Sequence, residues 1–313
     1  KKVLKYDFLV VALGAVSNTY DIPGLEQFSY PVKSTQDAVA VNCHLDSYFR
    51  ELWKKNEKRE LVISVGGGGA TGVEFSSELS SYIKFLCKKY KYPVSHVKLQ
   101  IIQGGDELIG LGKKVSDIAI HRLSKKDVHV IFNEYITEAG PNFIKLKNKS
   151  GKVCEIKSDM LLWTGGVKAH PVVAEWLGSK STDGLIEVNR FLQNENYENI
   201  FAGGDNAFYE NPMGDKTLAL AQNAFHEGKN IAKNICHLMH NEEMEDFIIP
   251  KYLYIIPIGG KFGIVRYGDK VYSGYWCWVL RRLTDLWYAL QILPFFKALK
   301  KWLRGNQVFV MND

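Results

Sequence analysis

The run Leu61-Val62-Ile63-Ser64-Val65 leads into Gly66-Gly67-Gly68-Gly69-Ala70-Thr71-Gly72, an apolar segment ending in a cluster that fits G-x-G-x-x-G. In that pattern Gly67 permits a tight turn, Gly69 lets a pyrophosphate approach the backbone, and Gly72 lets helix and strand pack closely. Glycine-rich turns also occur where a chain simply bends, so the neighbours decide. Val73 to Tyr90 carries apolar residues at Val73, Phe75, Leu79, Tyr82, Ile83, Phe85 and Leu86, a helix able to pack on a sheet, and Val97 to Ile102 supplies a second strand. The result is a βαβ unit with a dinucleotide pyrophosphate expected at the helix N-terminus.

The end of the second strand selects the dinucleotide, because an Asp or Glu there bonds the ribose 2′-hydroxyl and repels a 2′-phosphate. Here VKLQII ends at Gln103, which can bond a hydroxyl without repelling a phosphate. Asp106 and Glu107 just beyond can substitute, or are solvated loop charges. NADH is expected, with NADPH tolerated.

A chain of 313 residues, 46% hydrophobic and 24% charged, suffices for two ordinary cores. No stretch approaches the roughly 18 uninterrupted apolar residues of a membrane span. The opening KKVLKYDFLVVALG reads as a strand rather than a secretory signal, since Asp7 interrupts it and no small-residue cleavage site follows. Cys43, Cys87, Cys154, Cys236 and Cys277 lack C-x-x-C spacing, and the eight histidines lack metal-ligand spacing, so no metal site and a reducing compartment are expected.

The net charge of +6 is concentrated near the end. From Tyr275 to Arg304, Arg281, Arg282, Lys297, Lys300, Lys301 and Arg304 face the single acid Asp285, and four of the seven tryptophans (Trp276, Trp278, Trp287 and Trp302) fall there. Aromatic and aliphatic residues interleaved with cations suit helices lying in a bilayer interface, with Pro294 breaking the stretch in two. A core or dimer helix with a basic outer face is the alternative. No basic run or recognition motif suggests nucleic acid.

Several segments carry a resemblance. YDFLVVALGAVSNTYDIPG resembles the end of the first flavin-domain segment in two-dinucleotide flavoprotein reductases; SDMLLWTGGVKAHP, around Thr164, Gly165 and Gly166, resembles their second strand-and-glycine crossing; ENIFAGGDNAF, with Gly204 and Asp205, resembles the strand-Gly-Asp motif whose carboxylate meets the flavin ribityl chain. Within that superfamily the chain is similar to the type II NADH:quinone oxidoreductases, or alternative NADH dehydrogenases. Their signature A-Q-x-A-x-Q-Q-G is matched by Ala221-Gln222-Asn223-Ala224-Phe225-His226-Glu227-Gly228, with His226 and Glu227 replacing the last two glutamines.

The resemblance implies hydride transfer from NAD(P)H to FAD and then reduction of a membrane quinone, without proton pumping. It places Gly67, Gly69, Gly72 and Gln103 at NAD(P)H; Gly165, Gly166, Gly204 and Asp205 at the cofactors; and Gln222 at the flavin or quinone edge. Glu74 stands near nicotinamide and flavin as an orienting group or proton relay, or serves only the helix dipole in a first turn. His226 is a candidate proton donor to quinone, or an ordinary helix histidine.

The expected fold is α/β, with two Rossmann-like dinucleotide-binding domains and a C-terminal amphipathic helical membrane-binding region. Residues 1–30 form a remnant of the first flavin segment, 31–59 a connecting helix, 60–165 the NAD(P)H domain, 166–255 the second flavin segment, and 256–313 a strand pair with membrane-binding helices. No G-x-G-x-x-G precedes Tyr6, and Leu13 stands where relatives have the threonine of A-T-G, so the flavin domain is expected to be incomplete. Peripheral attachment to a membrane facing a reducing compartment follows: the cytoplasmic face in a prokaryote, an organelle membrane in a eukaryote. A homodimer is compatible. The rival readings are a sulfide:quinone or other flavoprotein reductase, and a non-catalytic membrane-associated nucleotide-binding module.

Overall fold

Leu61–Gly66 is buried along its whole length, as a central parallel strand covered on both faces must be. The computed structural model describes residues 3–176 and 184–310. The basic start Lys1–Lys2, residues 177–183 of the expected second flavin segment and residues 311–313 of the expected membrane-binding end lie outside the described residues.

In chain order the elements are β1 (Leu9–Val11), β2 (Ala15–Ser17), α1 (Leu25–Phe28), β3 (Ser29–Pro31), α2 (Thr35–Lys54), β4 (Leu61–Gly66), α3 (Ala70–Lys89), β5 (Val97–Gln103) and α4 (Lys113–Ser124). There follow β6 (Val128–Phe132), β7 (Glu134–Ala139), β8 (Phe143–Asn148), β9 (Val153–Lys157), β10 (Met160–Trp163), β11 (Val167–Ala169) and α5 (Pro171–Trp176). The remainder is β12 (Ile186–Glu187), β13 (Gln193–Asn194), β14 (Tyr197–Ala202), β15 (Ala207–Phe208), α6 (Ala221–Met239), β16 (Leu253–Pro257), β17 (Gly263–Tyr267), β18 (Lys270–Gly274), α7 (Tyr275–Ile292) and α8 (Phe295–Val310). They divide into two units: residues 1–18 with 167–252, and residues 19–166 with 253–313.

The larger unit is built on a five-stranded sheet in the order β3-β10-β4-β5-β6, every pair parallel. α2 begins with a capping box between Ser34 and Asp37, then turns Leu45 and Phe49 into the core with Leu86 of α3 and Leu123 of α4. Fully burying a side chain such as Phe49 contributes about 2–3 kcal/mol. The antiparallel meander β7-β8-β9 carries a separate small core with Ile144 and Leu146.

The smaller unit pairs β1 with β14 in parallel, adds β13, and joins β2 to β11 antiparallel. Its core gathers Val173, Ile186, Leu192, Phe201 and Ile231. Both units have the α/β construction expected from the sequence.

After Tyr252 the larger unit continues. Three antiparallel strands form where a pair was expected, because Gly268, at φ 56°, makes a tight reversal that lets Lys270–Gly274 return beside β17. α7 ends at Ile292 and α8 begins beyond Pro294, whose carbonyl accepts from Ala298 N. Buried Arg282 ties the two helices: Nε donates to Asn306 Oδ1 at 2.6 Å and Trp302 Nε1 donates to the Arg282 carbonyl at 2.6 Å, while within α7 its Nη1 donates to Asp285 Oδ2 at 2.7 Å. Their outer faces expose Trp276, Leu283, Trp287, Ile292, Phe295, Phe296 and Leu303. Among the described residues no helix is long and apolar enough to cross a membrane.

Candidate functional site

In the larger unit, the glycine cluster lies at the C-terminal ends of β4 and β5, where ligands of parallel sheets bind. Gly67, at φ 107°, donates to the Ile102 carbonyl at 2.9 Å and turns the chain toward α3. A Cβ on Gly72 would collide with the Gly67 carbonyl, whereas one on Gly69 would meet nothing within 4 Å. Gly72 is therefore needed for packing, while the space beside Gly69 leaves the backbone open. The first turn of α3 contains no acid, and its N–H groups lack intrahelical partners by construction. This arrangement fits a dinucleotide pyrophosphate.

Gln103 stands beside that loop with both ends of its amide engaged. Oε1 accepts from Gly68 N at 2.9 Å, and Nε2 donates to the Glu107 carbonyl at 2.9 Å. Asp106 is exposed and Glu107 half-buried.

Thr164 is a loop-shaping residue that the sequence singled out only within a motif. Its Oγ1 lies 3.0 Å from both the Gly66 and Gly67 carbonyls, and its amide donates to Gly66 O at 2.8 Å. Gly165 is confined by the Trp163 ring and by Gly67, while Gly166, at φ 150°, lies against the Tyr20 hydroxyl. The threonine of a strand-Thr-Gly-Gly segment was the available signal.

Glu74 is the fifth residue of α3, just past the first turn, so the simple first-turn dipole reading does not describe it. Burial pushes its carboxyl up to about 7; Arg281 on α7 opposes the rise, and Asp285 and Glu78 add to it. Such a group can exchange a proton near neutral pH.

The smaller unit carries the second candidate site. A cavity of about 270 Å³ is lined by Val10, Ala12 and Gly14, by Gly203, Gly204 and Asp205, and by Ala224, Gly228 and Ile231. Small residues on α6 leave its backbone open, with nothing within 4 Å of a Cβ built on Gly228. Gly204 takes φ 78° in the turn that leads to Asp205. Asn206, fully buried, closes this turn against the first segment: Oδ1 accepts from Gly14 N at 2.9 Å and Nδ2 donates to Val11 O at 3.0 Å. A carboxylate at the rim of a small-residue cavity fits a polyol chain such as ribityl.

Gln222 and His226 are four residues apart on α6, share a face, and are both half-buried. Asn223 and Glu227 lie about 100° further round the helix, on its buried stripe. The two positions where the signature's glutamines are replaced therefore have different surroundings: the His226 ring lies against Phe225, while Glu227 bonds Gly204. Asn206 and Asn223 were not singled out by sequence reasoning, and Glu227 was marked only as a departure from the signature, although the i,i+4 spacing of Asn223 and Glu227 was there to be read.

Among the described residues no cluster of His, Cys, Asp and Glu could hold a metal ion, and all five cysteines are free.

The chain belongs to the pyridine nucleotide-disulphide oxidoreductase family, whose pattern matches residues 1–228. It is similar to the mitochondrial external alternative NAD(P)H-ubiquinone oxidoreductase B2 of Arabidopsis thaliana, at 30% identity over 209 residues, covering 64% of this chain and 36% of that protein. It is also similar to a type II NADH:quinone oxidoreductase of Staphylococcus aureus, at 27% identity over 317 residues, covering 96% of this chain and 75% of that protein. The chain thus spans little more than a third of the plant relative's length. The structure of NDH2 from Plasmodium falciparum in complex with NADH shares the fold, with a TM-score of 0.82 over 97% of this chain and 78% of that one at 18% identity.

Proposed function

We propose that this chain belongs to a type II NADH:quinone oxidoreductase that passes electrons from NAD(P)H through FAD to a membrane quinone without pumping protons. The observation that carries the reading is the coexistence in one chain of a glycine loop at the N-terminus of α3 and a Gly204–Asp205 turn fronting a cavity in the other unit. The larger unit is assigned to NAD(P)H and the smaller to FAD; the relatives' names agree with the reaction.

When bound, FAD supplies the two-electron chemistry. The chain's own residues bind and orient. Gly67, Gly69 and Gly72 cradle the NAD(P)H pyrophosphate, with Thr164, Gly165 and Gly166 shaping the loop. Asp205 accepts from ribityl hydroxyls. Gln222 and His226 face the flavin or quinone edge, and Glu74 holds or releases a proton near the nicotinamide.

The α7–α8 hairpin, with exposed aromatic residues and Lys297, Lys300, Lys301 and Arg304, is assigned to the membrane surface through residues 275–304. That places the protein peripherally, on a face turned to a reducing compartment, and leaves a homodimer compatible. The test is reduction of FAD-loaded protein by NADH and its reoxidation by a membrane quinone; reduction without reoxidation would point to a different acceptor.

A further inference from the structure

Glu227 is almost wholly buried on α6 and receives two hydrogen bonds, from Gly204 N to Oε2 at 2.5 Å and from Asn223 Nδ2 to Oε1 at 2.6 Å. The Asn223 amide is itself oriented, since the Tyr252 hydroxyl donates to its Oδ1 at 3.2 Å. The chain from Tyr252 through Asn223 to Glu227 therefore runs in one direction and ends on a group that is asked only to accept. An ionised carboxylate meets that demand; a protonated one brings a hydrogen that neither the Gly204 N–H nor the Asn223 Nδ2 can accept.

The second donor, Gly204, immediately precedes Asp205 in a left-handed backbone conformation. We infer that Glu227 is a positioning residue of the flavin site: in its ionised form it holds the Gly204–Asp205 turn so that Asp205 faces a ribityl-type polyol, and protonation loosens that turn. The inference rests on the assignment of FAD to the smaller unit. It also distinguishes this chain from the signature it resembles, where glutamine occupies the same place.

Among the described titratable groups, the Asp205 charge acts on Glu227 from the turn, Tyr252 reaches it through Asn223, and His226 and Lys229 flank it on α6; no cation pairs with it. Burial, first, and the Asp205 charge raise its pKa, while Gly204 N–H and Asn223 oppose them. The protonated form thus becomes populated above the ordinary carboxylate range.

The test measures FAD affinity by fluorescence titration of the full protein, E227Q and E227L between about pH 5 and about pH 8. Alongside it, the Gly204 amide proton shift is followed over the same range in 15N-labelled protein without FAD. Wild-type affinity should fall roughly tenfold toward the acid end, the worth of one charge-assisted hydrogen bond. E227Q keeps the shape and an acceptor for Gly204 but should lose most of this dependence. E227L, with no acceptor, should bind more weakly than either at every pH; if it does not fold, the E227Q comparison decides. The Gly204 amide should titrate in the wild type and not in E227Q. Full pH dependence in E227Q, or a Gly204 amide that ignores pH, overturns the inference. If FAD binds and is bleached by NADH while its affinity is indifferent to residue 227, the inference alone falls. If the amide titrates but FAD binds at no pH, the flavin assignment falls and takes the inference with it.

Discussion

The side chain of Gln103 carries the amide of Gly68: Oε1 accepts at 2.9 Å, while the other end of the same side chain donates to Glu107 O at 2.9 Å. The residue assigned to the ribose is thus also a strut of the glycine loop. In Q103E the carboxylate still accepts from Gly68 but faces the Glu107 carbonyl without a donor and brings negative charge to the ribose end. The KM for NADPH should rise at least about tenfold more than that for NADH, since a carboxylate repels a 2′-phosphate. In Q103A, Gly68 loses its acceptor and both coenzymes should suffer alike. Equal effects of Q103E on the two would refute coenzyme discrimination here.

Two glycines of one motif should respond oppositely to a methyl group. In G72A the Cβ runs into the Gly67 carbonyl, so the loop must move at a cost of about 1–3 kcal/mol, read as a lower Tm. In G69A the Cβ enters open space at an ordinary φ of −66°, so Tm should hold while NADH Kd rises about tenfold from obstruction of the pyrophosphate. Unchanged NADH binding in G69A would separate that open space from the ligand.

Glu74 predicts a pH-dependent stability difference. Its folded pKa, about 7, lies above the ordinary 4.5, so the folded state binds more protons. The favourable contribution is complete below the unfolded pKa and is lost as pH rises through the folded one. E74Q should therefore gain stability over wild type between about pH 5 and about pH 8, by on the order of 1–3 kcal/mol, and the two should converge in acid. Paired thermal melts across that range check this; a constant offset contradicts it. If Glu74 also relays a proton, the inflection near neutrality in kcat disappears with it.

The glycine loop and its βαβ setting were legible because glycine spacing, β-branched strands and an amphipathic helix all described the same local unit. Pro294 likewise marked the break between α7 and α8. The third C-terminal strand was harder to read, since Lys270–Gly274 pairs through backbone bonds after a reversal at Gly268 and has a mostly exposed surface. The polar supports were also hidden. Asn206 meets Gly14 across 192 positions, and Glu227 meets Gly204 across 23, separations that no local periodicity encodes.

The C-terminal hairpin should bind anionic vesicles through α8. Reversing Lys297, Lys300, Lys301 and Arg304 to Glu should abolish sedimentation with phosphatidylserine-containing liposomes, each removed cation being worth about 1 kcal/mol near such a surface. Added salt should weaken wild-type binding in the same direction. Liposome binding indifferent to both charge and salt would assign this face to another role.

If one chain carries both an NAD(P)H site and a flavin site that serves a quinone, electrons added as NADH must pass through flavin to the quinone. Visible absorption of the protein supplied with FAD, recorded anaerobically before NADH, after NADH and after a membrane quinone, tests it most directly. The flavin bands should bleach with NADH and return with quinone. NADH binding without any flavin bound or bleached would contradict it and leave a nucleotide-binding module.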